Sequence, residues 1–468
     1  MTTVFAEVLA ATAVAAGYAF VGELALGRSS LRAAAWSSSF LIGAGICAAA
    51  LFPLSLLVPS HAIDAEFVLL FFAAAAAARR RWNARRRPLP PGADALPSPA
   101  DPVARLLLAA IVALALFFAV FNFWYGNSWD GVQVFATRAK LLFHQGGLSH
   151  WWFPEDAYDT RLLAYPPMIS LTEALTSRLQ GAFDFDRLKP IFCFFYAALL
   201  ASTYAAARAV LARRWALAAV LGIALLPELM SRGAAGGYVD MPMAAYVAAS
   251  VAVALTQNGT DDGWRSPLPW LLGSMTAVKQ EGMLLTLVGC GAVAVSWAGE
   301  RPRRLGERLR KNVSGMIVVA AFIASRVAFV QWTRVHDATW GPFDAEHVSR
   351  AFHHVGTVAS LCLRYMLDPR LWGLFWPAFL IAAAVIVASG PERLRILALA
   401  TAAAAVLEGG LFLFTNWDYQ QHIEGAYSRL LAQLAPAAAV VIVFAGNRIW
   451  SPPLAPAGTG PAEGGSGS

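Results

Sequence analysis

A carboxylate, two cations and several aromatic rings follow one another where a long apolar segment of the sequence ends. Asp130 comes just after the apolar run that ends in Trp124, and Arg138 and Lys140 follow it at helical spacing. Tyr165 and a proline pair come next in this polar segment. Charged groups at a membrane are costly to place and usually serve a function. This combination indicates chemistry at a membrane surface, on a substrate that carries phosphate and sugar.

The composition of the chain indicates a membrane protein. Of its 468 residues, 58% are hydrophobic and only 14% are charged. Soluble domains average about 25% charged residues, and apolar runs of about 20 residues are typical of transmembrane helices. The net charge of +7 does not indicate nucleic-acid binding, because the arginine runs lie in short loops between apolar segments. We therefore expect no nucleic-acid partner.

The apolar segments are the elements that must position the polar groups. They predict an all-α fold: a polytopic membrane protein with about 13 transmembrane helices and with external loops that bear interfacial helices. Charged residues separate 266–278 from 282–298, so this pair is either two spans or one broken helix. The predicted helices are 3–26, 37–58, 63–78, 103–124, 188–211, 214–230, 237–256, 266–278, 282–298, 313–333, 371–389, 393–415 and 428–447.

The basic residues predict the orientation of these helices. Loops on the cytoplasmic side of a membrane carry an excess of Lys and Arg, so we assign the dense cluster at 79–87 to the cytoplasm. Alternating outward from it places four further basic loops on the same side, and makes 125–187 and 334–370 external loops. The polar residues that could perform chemistry then gather at the external surface: Asp130, Lys140, Tyr165, Asp240, Lys279, Glu281, Asp418, Glu424 and Arg429.

The external loops contain further local signals. Residues 126–143 are compatible with an amphipathic helix along the membrane, and the aromatic block 151–153 suits the headgroup zone. We expect loop 334–370 to fold over the first loop. Its adjacent His353 and His354 point in different directions on a helix, which is poor metal-binding geometry. We therefore assign no residue to a metal.

Several motifs resemble those of the GT-C superfamily of membrane glycosyltransferases, which includes protein O-mannosyltransferases and lipid A aminoarabinose transferases. The resemblance extends over about 106–436. Two features differ: three apolar segments come before the one that leads into the acidic loop, and Tyr165 stands where aminoarabinose transferases carry Lys. The matching pieces are Ser-Trp-Asp-Gly at 128–131, Tyr-Pro-Pro-Met at 165–168, Tyr-Val-Asp-Met-Pro at 238–242, and Lys-Gln-Glu-Gly at 279–282 together with Arg429 and Pro436.

This resemblance implies an inverting glycosyltransferase of class EC 2.4. It would move a sugar from a polyprenyl-phosphate donor to a lipid, glycan or protein acceptor, with membrane lipids as further partners. The expected location is the bacterial inner membrane, with the active site on the external, periplasmic face. No cofactor is required, although a divalent cation is compatible with the chemistry. The alternatives are a transporter or flippase of a lipid-linked sugar, and a non-catalytic scaffold.

The same resemblance divides the chain into regions. Residues 1–100 would hold extra N-terminal transmembrane helices and the basic cytoplasmic loop. Residues 101–300 would form the catalytic transmembrane core, which includes the first external loop 125–187. Residues 301–450 would contribute C-terminal helices with the external loop 334–370, and 451–468 is a Gly/Ser/Pro-rich tail that we expect to be disordered.

Each candidate residue has a functional and a structural interpretation. Asp130 is expected to be the general base, and its alternative is an N-cap. Asp240 could instead simply begin a helix, and Glu281 could simply pair with Lys279. Each cation could be an interfacial group with its charge in water, and Arg326 lies inside a span where it needs a partner. The predicted roles are catalysis for Asp130 and Asp240, binding of the donor phosphate or lipid for Lys140, Lys279, Arg429, Arg138 and Tyr165, and substrate positioning for Glu281, Asp418 and His422.

Overall fold

The computed structural model describes residues 2–27, 33–85, 101–149, 165–231, 236–256, 265–298, 302–333, 341 and 344–450. Within these ranges the chain is helical and contains no β-strand. The aromatic block 151–153 and the tail 451–468 lie outside the described residues. The helices are α1 Thr2–Leu26, α2 Ala33–Leu57, α3 Ala62–Arg85, α4 Pro102–Trp124, α5 Thr137–Gln145, α6 Met168–Gln180, α7 Pro190–Arg208, α8 Arg213–Ala224, α9 Asp240–Thr256, α10 Pro267–Met275, α11 Gly282–Ala298, α12 Pro302–Thr333, α13 Ala345–Met366, α14 Pro369–Trp372, α15 Phe375–Ser389, α16 Glu392–Leu411 and α17 Tyr419–Trp450.

The chain is an integral membrane protein with fewer clear spans than the sequence predicts. Over the described ranges, eight helices are long and apolar enough to cross a membrane, or nine if 345–372 and 375–389 form one bent span. All thirteen predicted segments contain helix, but α9 and α11 have 17 residues each, α8 has 12 and α10 has 9. A span needs about 20 residues. The predicted count of about 13 is therefore not confirmed.

The segment 266–298 forms two helices that reverse direction. A Cβ on Gly282 would lie 1.9 Å from the Met275 carbonyl oxygen, and the Thr286 hydroxyl donates to the Leu272 carbonyl at 2.6 Å. Residues further along α11 thus contact residues earlier in α10, as in an antiparallel hairpin. The single broken helix that the sequence left open is not formed. Lys279 and Glu281 lie in the turn between the two helices.

The N-terminal helices pack closely on one another. A Cβ on Gly22 would lie 2.0 Å from the Ser39 carbonyl oxygen, and one on Gly43 would lie 1.8 Å from that of Tyr18. Small residues of this kind allow helix backbones to approach each other in membranes. The Tyr18 hydroxyl also forms a hydrogen bond of 3.0 Å with Thr172 of α6. Helices α1 and α2 therefore join the core that surrounds the candidate site.

Two acidic residues of α1 have basic partners that lie far away in the sequence. Glu7 pairs with Arg187 at 3.4 Å, and Glu23 forms an ion pair with Arg81 at the end of α3. Neither glutamate has a Lys or Arg within its own apolar segment. The ion pairs agree with a packing role, because each one ties α1 to another part of the chain.

Most of the described part of 334–370, which the sequence predicts to be an external loop, is the amphipathic helix α13. Helix α15 bends by 116° from the α13–α14 segment, so α13 does not continue the axis of α15. Phe352 and Leu363 are 77% and 51% exposed, whereas Val358 and Cys362 are buried. The buried side packs against α16, α17 and the turn at 412–414. The adjacent histidines differ in contacts, since His354 lies against the ring of Tyr419 at 4.9 Å.

Candidate active site

Five charged side chains from four segments form one network of ion pairs. Arg429 of α17 contacts Asp130 through Nη1 at 2.7 Å and Asp240 through Nε at 2.8 Å. Lys279 places Nζ 3.1 Å from Asp240 and 3.2 Å from Glu281. The four segments are the loop after α4, the start of α9, the α10–α11 turn and α17. The structure therefore brings together five of the residues singled out in the sequence.

Two glycines allow the loop of Asp130 to dock beside Asp240. A Cβ on Gly131 would lie 2.2 Å from the Gly236 carbonyl oxygen, which accepts hydrogen bonds from the amide and the hydroxyl of Ser128. Gly237 has φ +67°, and a Cβ there would lie 2.6 Å from the amide oxygen of Asn127. Only glycine adopts such a φ without strain. Both acidic motifs thus include glycines because their backbones touch.

Asp130 does not act as a helix cap. It precedes a π-helical turn at Gly131–Ala136, and its side chain makes no capping hydrogen bond. The carboxylate is instead paired with Arg429, and 18% of the side chain remains exposed. Turns of π-helix are rare and often occur at functional sites. The structural alternative that the sequence allowed for Asp130 is therefore not observed.

Asp240 is the most completely bonded carboxylate of the network. Its Oδ1 accepts hydrogen bonds from Lys279 at 3.1 Å and from the Gln433 amide at 2.8 Å, while Oδ2 accepts from Arg429. Only 5% of the side chain is exposed. Sequence reasoning missed Gln433, although it lies one helical turn after Arg429 and hence on the same face of α17. Asp240 is arranged to hold two cations in place.

Two aromatic residues complete the cluster around Arg429 and the proline pair. The guanidinium of Arg429 lies 4.2 Å from the centroid of the Tyr238 ring, a cation–π contact that the sequence did not indicate. Tyr165 packs edge-on against Phe135 at 5.8 Å. Burial, and then the charge of Glu281, raise the pKa of Tyr165 above its usual value, so its phenol remains a hydrogen-bond donor.

Arg138 supports the backbone of this segment. Its Nη1 donates to the Tyr165 carbonyl oxygen at 2.5 Å, and the residue is only 2% exposed. Burial, with the nearby Arg326 guanidinium, lowers the pKa of Arg138 to about 9. The geometry thus gives Arg138 a structural contact, and its predicted contact with a donor phosphate remains a prediction.

A cavity lies on the other side of the proline pair. It is small, with a volume of about 20 Å³, and is bordered by α2, Pro166, Pro167, the start of the α10–α11 turn and α12. Arg326 lines it, and its guanidinium lies 5.5 Å from the centroid of the Phe329 ring. The remaining wall is mostly apolar. The cavity adjoins the ion-pair network through Tyr165 on one side and the turn that carries Lys279 on another.

Besides Arg138 and Tyr165, three predicted site residues lie outside the ion-pair network. Lys140 is exposed, and its Nζ lies 5.5 Å from the centroid of the Phe185 ring. Asp418 accepts a hydrogen bond from the Gln421 amide and so caps α17. The ring of His422 forms a 2.6 Å hydrogen bond with Thr415. Their predicted roles in binding and positioning remain predictions.

The charges of the network do not leave an obvious place for a phosphate. Asp130, Asp240 and Glu281 contribute three carboxylates, whereas Lys279 and Arg429 contribute two cations, and both cations are engaged. Burial lowers the pKa of Lys279, but the attraction of Asp240 and Glu281 more than offsets this and raises it above its usual value. Lys279 therefore stays charged while it balances carboxylates.

Two further observations concern ligands and buried acids. Among the residues that the structure describes, no group of three His, Cys, Asp or Glu side chains could hold a metal ion. Glu408 of α16 is fully buried within electrostatic range of Lys279 and Glu281. Sequence reasoning missed Glu408, because a single acid in an apolar run gives no indication of what lies beside it.

Comparison with known proteins identifies the fold. No protein-family model matches the chain, and no curated protein matches it. The crystal structure of apo ArnT from Cupriavidus metallidurans aligns with a TM-score of 0.50 and 15% identity, over 74% of this chain and 60% of that chain. The structure of ArnT bound to undecaprenyl phosphate aligns with a TM-score of 0.48 and 14% identity over the same shares.

ArnT is the lipid A aminoarabinose transferase, a glycosyltransferase of the GT-C type. This chain spans about 60% of the length of the ArnT chain that it matches. At 15% identity the similarity concerns the fold. The resemblance predicted from the sequence motifs is thus confirmed at that level: the chain is similar in fold to a GT-C glycosyltransferase.

Proposed function

We propose that this protein is an inverting glycosyltransferase that moves a sugar from a polyprenyl-phosphate donor to an acceptor hydroxyl or amine on the external side of the membrane. The observation that carries the proposal is the setting of Asp130. Its partly exposed carboxylate is held by Arg429 in a network of five charged side chains. The fold similar to ArnT supports the same reaction class.

Asp130 is the proposed general base. Its Oδ2 is bonded to Arg429, and it is more exposed than Asp240, at 18% against 5%. In the reaction the carboxylate takes the proton of the acceptor group. The acceptor oxygen or nitrogen then forms a bond to the anomeric carbon as the bond from that carbon to the phosphate oxygen breaks. One displacement of this kind inverts the configuration at the anomeric carbon and releases polyprenyl phosphate.

Asp240 is a positioning residue in this mechanism. The sequence predicted a catalytic role for it, but three donors already occupy its two oxygens. A carboxylate in that state is a poor proton acceptor. Its proposed function is to fix Arg429, which in turn orients the carboxylate of Asp130 toward the acceptor.

The proposed cation for the donor phosphate is Arg326. The leaving phosphate gains negative charge, and a fixed cation in a site shielded from water stabilises that charge strongly. Arg326 lines the cavity next to the proline pair, and Lys279 and Arg429 do not. Tyr165 can add a hydrogen bond from its phenol. This arrangement compensates for the Lys that aminoarabinose transferases carry at the position of Tyr165.

The transport alternative is less well supported. Transporters of lipid-linked substrates usually place polar groups near the bilayer midplane on broken helices. Here Asp240 begins α9, and Lys279 lies in the turn of a helical hairpin, so these two charges are at the ends of elements. The positions of the basic loops predict that Asp240 and Lys279 lie on the external side of a bacterial inner membrane.

The proposed function is tested with the full chain in lipid nanodiscs and a panel of polyprenyl-phosphate sugars. We expect at least one donor to release polyprenyl phosphate when a hydroxyl-bearing or amine-bearing acceptor is added, with inversion at the anomeric carbon in the product. The matched transport assay uses the same donors in proteoliposomes. Movement of an intact donor across the bilayer, without release of polyprenyl phosphate, would overturn the proposal.

A further inference from the structure

We propose that residues 183–189, which we call the brace, fix the position of the Asp130 carboxylate, and that Lys189 is a positioning residue at the end of the brace. The brace connects α6 to α7 and contains a 3₁₀ turn at Phe185–Arg187. None of its residues belongs to the motifs that the sequence indicated. The inference rests on the proposed function for the reaction that Asp130 performs.

The brace contacts the residues that lead into Asp130. The side-chain amide of Asn127 donates to the Phe185 carbonyl oxygen at 2.8 Å, and Asn127 comes shortly before Asp130 in the chain. The Lys189 ammonium donates to the Gly126 carbonyl oxygen at 3.3 Å. Because these two contacts hold consecutive residues, they limit the directions in which the chain can continue toward Asp130.

Lys189 is an unusual residue for its place in the fold. It directly precedes α7, and only 1% of it is exposed. The N-terminal end of a helix carries a partial positive charge, which opposes a cation there, and burial of a charge adds a cost that polar partners must offset. The Gly126 carbonyl oxygen is one such partner. The Lys189 carbonyl oxygen in turn accepts a hydrogen bond from the side chain of Asn122 at 2.8 Å, so Lys189 contacts both α4 and the acidic loop.

The brace also contacts the chain after Asp130. The Lys140 ammonium of α5 lies 5.5 Å from the centroid of the Phe185 ring, which is a cation–π contact. The ring of Phe183 packs against that of Phe143 in α5 with centroids 5.9 Å apart, and against that of Phe185 at 5.1 Å. The brace therefore holds the chain on both sides of Asp130. Lys140 contacts the brace although it lies outside the ion-pair network.

The brace is itself held by other parts of the fold. Leu188 is fully buried, and Pro190 begins α7, most of whose residues are buried. Arg187 pairs with Asp184 at 2.9 Å and with Glu7 of α1 at 3.4 Å. A functional group is placed more precisely when packed elements support it than when it lies on a free loop. The brace is such a support for the acidic loop.

The test compares sugar transfer by Lys189→Met and Asn127→Ala, which remove the two contacts before Asp130, in the full chain in nanodiscs. Misplacement of a catalytic group by about 1 Å costs up to about 100-fold in rate. We therefore expect kcat to fall by roughly 10- to 100-fold, while the KM for the donor changes by less than about twofold. Ser202→Ala on α7 is the matched control, because it removes a buried hydrogen bond of 3.0 Å to Ser37 that is not part of the brace.

A double-mutant cycle distinguishes positioning of Asp130 from general support of the fold. If Lys189 acts through the Asp130 carboxylate, Lys189→Met should slow transfer by less than about twofold when Asp130→Asn is already present. An undiminished effect in that background would overturn the inference. Unaltered kinetics in both Lys189→Met and Asn127→Ala would also overturn it.

Hydrogen exchange tests the brace without sugar transfer. The backbone amides of Ser128 and Val132 are hydrogen-bonded within and beside the acidic loop. Loss of one supporting hydrogen bond should speed exchange over 126–133 by roughly fivefold in Lys189→Met, and Ser202→Ala should not change it. Unchanged exchange in Lys189→Met would overturn the inference even if sugar transfer is observed. Conversely, faster exchange in a chain that transfers no sugar from any donor would retain the brace and overturn the proposed function.

Discussion

Asp130 and Asp240 are joined by one guanidinium, since Arg429 contacts Asp130 at 2.7 Å through Nη1 and Asp240 at 2.8 Å through Nε. The two carboxylates lie on loops that are far apart in the sequence, and the planar fork of Arg429 sets the spacing between them. Asp240 thereby influences the position of the Asp130 carboxylate through Arg429 and not by direct contact. The predictions below test this relationship and its consequences.

Arg429→Lys should lower kcat/KM by roughly 10- to 100-fold, although the charge is kept. Lysine is a point charge on a flexible stem and cannot hold both carboxylates in the geometry of a guanidinium. Steady-state kinetics with saturating donor and varied acceptor measures kcat/KM for the acceptor. Arg364→Lys, on the exposed side of α13, is the matched control. An Arg429→Lys protein with the kinetics of the unaltered chain would show that the bridge is not needed.

Asp240→Asn should destabilise the fold more than Asp130→Asn does. Removing the charge of Asp240 leaves two largely buried cations, Lys279 and Arg429, with fewer carboxylates, and breaking a buried ion pair costs about 3–5 kcal/mol. Asp130 is more exposed, so its loss should cost less. Denaturant unfolding of the two variants in the same detergent makes the comparison. Equal losses of unfolding free energy would contradict the assignment of Asp240 as the positioning residue.

Gly131→Ala should remove most of the activity because it separates the two acidic loops. The added Cβ would lie 2.2 Å from the Gly236 carbonyl oxygen, and backbone atoms cannot move aside as a flexible side chain can. The loop must then shift and withdraw Asp130 from Arg429. Gly222→Ala in α8 is the control, since nothing lies within 4 Å of its Cβ position and alanine favours helix. Equal activity of the two variants would refute the docking argument.

The sequence was sufficient to predict the all-helical fold class and all five charged residues of the network. Asp130, Asp240, Lys279, Glu281 and Arg429 could be found because charges at the ends of apolar runs are costly and stand out. Their partners could not be found in this way. Gln433 is an ordinary polar residue in the sequence, and its hydrogen bond to Asp240 depends on how α9 and α17 pack.

Other features depend on the lengths of the helices and on the directions in which their side chains point, and the hydropathy of the sequence predicts neither. The segment 266–298 forms a hairpin whose helices have only 9 and 17 residues, and these lengths are one reason that the count of about 13 spans is not confirmed. Lys140 and Arg138 are two residues apart on α5, so they point to different sides of the helix. Arg138 is buried against Tyr165 and Lys140 is exposed. Spacing alone could not indicate which of the two faces the site.

The most direct test of the mechanism is single-turnover transfer by Asp130→Asn with bound donor. Asparagine keeps the size of the side chain but cannot accept the proton, so we expect the chemical step to slow by roughly 100-fold or more. Donor binding should change little, because Arg326 and the apolar cavity are intact. Asp418→Asn is the control, since Asp418 caps α17 and asparagine is an equally good cap. An Asp130→Asn protein that binds donor and transfers sugar at a near-normal rate would contradict the role of Asp130 as the general base.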